Sequence, residues 1–95
     1  MINTITCRSN AFADCYDLDD IIVTINSNSA PARAKLAGRY AHECACDHAD
    51  GDVVDAATIE AHIDYIAECG ARFDYAAALR HGMRIIAQYA REGQS

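Results

Sequence analysis

The chain has 95 residues, 52% of them hydrophobic, with 8 basic and 14 acidic side chains, a formal net charge of −6 and no Trp. That length holds one domain, residues 1–95, with the apolar share of a folded globule rather than a disordered segment. The negative balance disfavours direct binding to nucleic acid or an anionic membrane and makes a basic protein surface the natural partner.

Much of the apolar content is Ala, with two Phe and five Tyr, so close helix packing is expected in place of a thick aromatic core. A domain this small buries only about 60–65% of its unfolded surface, which favours support from a partner or from a second copy in a homodimer. The opening MINTITCRSN has neither a basic n-region nor an apolar stretch, and the Cys count of five is odd. Reduced thiols and a cytoplasmic location are the expectation. No apolar run approaches the roughly 20 residues that span a bilayer.

Taken in order, Ile2 to Thr6 form an extended N-terminal arm. Ser9 or Asn10 caps a first helix in which Ala11, Cys15, Leu18, Ile22 and Ile25 recur at spacings of four and three, a stripe widened by Phe12 and Ile21. The β-branched run Ile21 to Ile25 supports a rival, an α+β fold in which residues 20–26 pair with residues 2–6 as a two-stranded sheet. Ser29 and Pro31 open a second helix from about Ala30 to Asp47, with Leu36, Ala37, Tyr40, Ala41 and Cys44 inward. Gly51 marks a loop. Asp55 opens a third helix lined by Ile59, His62, Ile63 and Ile66, and Gly70 stops it. Asp74 caps a fourth, with Tyr75, Leu79, Gly82, Met83, Ile86 and Ala90 inward. The fold expected is all-α, a compact four-helix bundle-like domain.

The run HECACDH at residues 42–48 has the composition of a metal site. On a helix, however, each step of two turns about 200 degrees, so His42 pairs with Cys46 and Cys44 with His48 on opposite faces. Structural zinc needs four converging ligands, which this run cannot supply alone. An extended run would spread the four along one side, suited to loose capture of a soft metal. A mixed set would join Cys44 and His48 to His62 and Cys69. Cys44 as a small core residue, with the histidines on polar faces, is the simpler account. The nearby DHADGDVVD fails as a calcium loop: with Gly51 at the sixth position, Cys46, His48 and Ala57 occupy the first, third and twelfth.

No Gly-rich phosphate loop, Cys-x-x-Cys or Gly-x-Ser-x-Gly is present, and a reactive thiolate needs an electropositive setting that the acidic surroundings deny. No enzyme and no cofactor are expected. Charge placement is more informative. Glu60, Asp64 and Glu68 recur every four residues along one helix face; Asp14, Asp17, Asp19 and Asp20 make a second acidic group, and Glu43, Asp47, Asp50, Asp52 and Asp55 a third. Basic residues gather separately, as Arg33, Lys35 and Arg39 and as Arg72, Arg80, Arg84 and Arg91. Such a surface is either a solvated exterior whose charges neutralise between helices or an imitation of spaced phosphates, offered by Glu60, Asp64, Glu68, Asp14, Asp17 and Asp20 to a basic channel.

In these acidic groups and its small size, the chain resembles the small phage or mobile-element inhibitors of bacterial defence, of anti-CRISPR or anti-restriction type. The resemblance covers general character along the whole chain and shares no motif, so it transfers no residue roles. It implies an inhibitor in the host-cell cytoplasm that binds a CRISPR effector complex or its nuclease. A homo-oligomerising helical assembly module and a Cys/His metal or redox sensor are the other readings the residues allow.

Overall fold

The computed structural model describes residue 12, residues 15–49 and residues 54–94. They form four helices: α1 (Leu18–Asn26), α2 (Ala30–Ala49), α3 (Ala56–Glu68) and α4 (Tyr75–Gln94). The fold is all-α, with no strand among the described residues. The expected arm at residues 2–6 lies outside them.

The sheet alternative for residues 20–26 is overturned. A strand would place Ile21, Val23 and Ile25 on one face; instead Ile21 and Ile25, one helical turn apart, are buried while Val23 is 63% exposed. The start of α1 also differs from the expectation of one helix reaching back to Ser9 or Asn10, which lie outside the described residues. Cys15, Tyr16 and Asp17 are not helical. Asp17 is extended, and its carboxylate accepts from the Asp20 N–H at 2.9 Å. Asp20 in turn accepts from the Tyr16 N–H at 3.1 Å. This reciprocal capping satisfies backbone donors at the helix start and ends the helix on its N-terminal side.

α2 is the central element, packed against each of the other three. It runs two residues past the expected Asp47, to Ala49. Ala37 and Ala41 are fully buried as expected, but Leu36, Tyr40 and Cys44 are only partly so, while Ala34, Gly38, His42, Ala45 and Cys46 are also buried. A helix flanked on several sides buries more than one stripe, and small residues let each neighbour approach.

α3 and α4 follow their sequence signals more closely. The Asp55 carboxylate accepts from the Thr58 N–H at 2.8 Å, and Ile59, Ile63 and Ile66 are buried at 0–1% exposure. Gly70, at φ 99°, closes α3, with the Ala71 N–H donating to Ile66 O and the Gly70 N–H to Ala67 O. That paired pattern needs a left-handed residue, which Gly adopts without a Cβ penalty. Asn26 ties the end of α1 to this turn, donating to Gly70 O and accepting from the Arg72 N–H. Asp74 caps α4 through the Ala77 N–H at 3.1 Å.

On α4, Tyr75, Leu79, Gly82 and Ile86 turn inward as expected, but Met83 is 46% exposed and Ala90 is exposed, whereas Ala78 is fully buried. The reason lies where α4 crosses α2 and meets α3. A Cβ on Gly38 would stand 2.6 Å from Ala78 O, and one on Gly82 would stand 2.7 Å from Ile59 Cγ2. The inward stripe therefore follows Ala78 and Gly82, and Met83, one residue and about 100 degrees further round, is carried outward.

Candidate functional site

The geometry of α3 determines what its acidic residues can do. With Ile59, Ile63 and Ile66 held in the core, Glu60, Asp64 and Glu68 all fall on the outer side and are exposed. They climb the helix in steps of about 6 Å, drifting about 40 degrees each time. Among the described residues no ion pair engages them, so neighbouring helices do not neutralise this face. Tyr65, 53% exposed, stands beside Asp64 and Glu68. At the α4 edge the Tyr75 hydroxyl lies against Asp64: burial, then the charges of Asp64 and Glu60, then its hydrogen bond to Asp64 push its pKa up and keep it protonated.

The other acidic residues are arranged differently. Asp17 and Asp20 are exposed, yet each carboxylate serves the start of α1 as described above. Asp14 lies outside the described residues. The rigid acidic stripe is thus that of α3.

The HECACDH run lies wholly within α2, and its four candidate ligands separate into two pairs. His42 and Cys46 turn inward, with His42 Nε2 3.6 Å from Cys46 Sγ and the Tyr89 ring 6.4 Å from the imidazole. Burial, with Arg39 adding repulsion, pulls the His42 pKa down and favours the neutral ring. Cys44 faces Tyr40 on another side, and burial pushes its thiol up, away from the reactive thiolate. His48 is exposed. The mixed set fails too: among the described residues no three His, Cys, Asp or Glu side chains gather around a point that could hold a metal ion. Cys15, Cys44 and Cys69 are free thiols. Cys46, however, is disulfide-bonded, so the expectation that every Cys is reduced fails there; its helical position points its sulfur inward, away from Cys44.

The basic residues, separated into two groups in the sequence, meet in the fold. Lys35 and Arg39 on α2 and Arg80 and Arg84 on α4 are exposed, and the parallel packing of these helices brings them to one edge around His81. Burial first, then the charges of Arg39, Arg84 and Lys35, hold the His81 pKa below its ordinary value. Arg33 is set apart, its Nη1 donating to Asn28 O at 2.9 Å. The i, i+4 spacing of Arg80 and Arg84 was visible in the sequence; their meeting with Lys35 depends on the α2–α4 crossing. Tyr65 was the other omission, an aromatic at an outward position within an acidic stripe.

No helix among the described residues is long and apolar enough to cross a membrane. No protein-family model, curated protein or solved structure matches the chain.

Proposed function

We propose that the protein is a non-enzymatic, protein-binding inhibitor that presents the outer face of α3 to a basic surface of its partner. The observation that carries this reading is the row Glu60, Asp64 and Glu68, exposed on a rigid helix with no ion pair among the described residues. Like charges at this spacing slightly destabilise a helix, by about 0.2–0.5 kcal/mol per pair, so the row carries a small cost to folding that a cationic partner would offset. Tyr65 beside it supplies what charge lacks, since aromatic residues with limited side-chain freedom dominate the energetics of protein interfaces. A row of carboxylates matches a channel built for phosphates, and attraction between such surfaces speeds encounter. A CRISPR effector complex or its nuclease, in the cytoplasm of a bacterial host, is the partner class proposed.

The test is capture from a bacterial lysate at low and high salt, comparing the wild type with a Glu60→Gln, Asp64→Asn, Glu68→Gln variant. Circular dichroism and urea unfolding should show the variant folded and at least as stable. A nucleic-acid-processing complex held by the wild type at low salt, released by high salt and lost from the variant supports the reading. Equal capture by the variant, or capture indifferent to salt, overturns it.

A further inference from the structure

The basic edge borders an open depression. Between α2 and α4 lies a depression of about 210 Å³ whose apolar lining comes from Pro31, Ala34 and Ala77. Lys35 from α2 and Arg80, His81 and Arg84 from α4 complete its lining. The structure therefore assigns a binding site, and we propose that it holds a small phosphorylated molecule, its phosphate gripped by Lys35, Arg80 and Arg84 and its organic part seated on the apolar lining.

The first support is charge without compensation. In a chain of net charge −6, three cationic residues line one depression, and among the described residues no ion pair engages any of them. Arg80 and Arg84, four residues apart on one helix, repel each other. An acidic protein has carboxylates enough to neutralise such a group, yet here the pocket is left open to a ligand.

The second support is His81. Its Cδ2 edge lies against Gly38 on α2, and the adjoining Nε2 is buried with no hydrogen-bond partner among the described residues. A buried polar atom without a partner costs free energy, which a small turn of the ring towards a ligand in the depression would recover. Burial and the surrounding Arg39, Arg84 and Lys35 favour the neutral ring when the site is empty, and a bound dianion would oppose that repulsion and pull the ring back towards protonation.

The chemistry of the donors selects the ligand. Guanidinium forks match the oxygens of phosphate in paired hydrogen bonds, and Lys adds a mobile point charge. A carboxylate offers two oxygens and one charge, too few for three cations, whereas a phosphate monoester offers three oxygens and close to two charges. The apolar lining calls for more than a bare ion. The scale of the depression and the acidity of the remaining surface disfavour a polyanion such as nucleic acid, whose further phosphates would meet carboxylates.

The experiment is an amide and imidazole NMR titration of the full chain with inorganic phosphate, pyrophosphate, glycerol 3-phosphate and a short single-stranded oligonucleotide, against chloride at matched ionic strength. Saturable shifts at Lys35, Arg80, His81 and Arg84 with the small phosphates, weakened about 10-fold or more by Arg80→Gln with Arg84→Gln, together with a rise in the His81 pKa, support the proposal. Arg91→Gln, outside the depression, should leave binding unchanged. Should the double variant fail to fold, Lys35→Gln, at an exposed position, takes its place. Shifts reproduced by chloride, shifts indifferent to the variants, or saturation by the oligonucleotide alone would each overturn it.

Discussion

Gly38→Ala probes how closely α2 and α4 approach. The added Cβ would stand 2.6 Å from Ala78 O and 3.2 Å from both Gly82 N and His81 Cδ2. Two of those three atoms belong to the α4 backbone and cannot rotate away, so the helices must separate. Overpacking a fitted contact costs about 1–3 kcal/mol, and a fixed backbone oxygen places this case near about 3. Replacing a helical Gly by Ala returns about 1 kcal/mol of helix propensity. The expected net loss is about 2 kcal/mol, equivalent to a fall in Tm of about 8–16 °C for a domain of this size. Gly82→Ala is the comparison: its nearest contact is Ile59 Cγ2 at 2.7 Å, a methyl on a fully buried side chain that is stiff at χ1, so a comparable loss is expected, taken up against α3 rather than α2. Urea and thermal unfolding followed by circular dichroism measure both. A Gly38→Ala protein as stable as the wild type, or more stable, would refute the close crossing.

Two further outcomes follow from the turn after α3 and from the histidines. Gly70→Ala meets nothing within 4 Å, so its cost comes from holding φ 99°, about 1–2 kcal/mol for an L-residue with positive φ; an unchanged urea midpoint would show that this turn relaxes freely. His42, His62 and His81 all have pKa values lowered from 6.5, chiefly by burial. Because the unfolded chain takes up their protons first, the stability they contribute is complete above 6.5 and is lost as pH falls below it. The urea midpoint should therefore drop between about pH 7.5 and about pH 5, and less steeply in His42→Gln; parallel slopes in the two proteins would exclude His42 as a source.

Local signals were legible where the responsible groups are close in sequence. Asp55 and Asp74 cap the helices they precede, Gly70 ends α3, and Ile59, Ile63 and Ile66 form its buried stripe. Helical spacing alone separates His42 and Cys46 from Cys44 and His48. The helix rather than strand at Ile21 to Ile25 was harder to read, because β-branched side chains favour a pleated surface while their spacing favours a helix. Burial of Ile21 and Ile25 with Val23 outside decides it.

From the sequence alone came a largely helical domain, an acidic net charge and an outward row of carboxylates on α3, since caps, periodicity and charge spacing act within a few residues. Tertiary structure decided which of several apolar stripes α2 buries, why Ala78 displaces Met83 from the interior, and that Lys35 lines one depression with Arg80 and Arg84. Those outcomes depend on how closely two helices more than 40 residues apart in the chain can approach, and that distance is set by the missing side chain of Gly38 against α4, while Gly82 makes room for Ile59 of α3, properties of packed pairs that no segment expresses by itself.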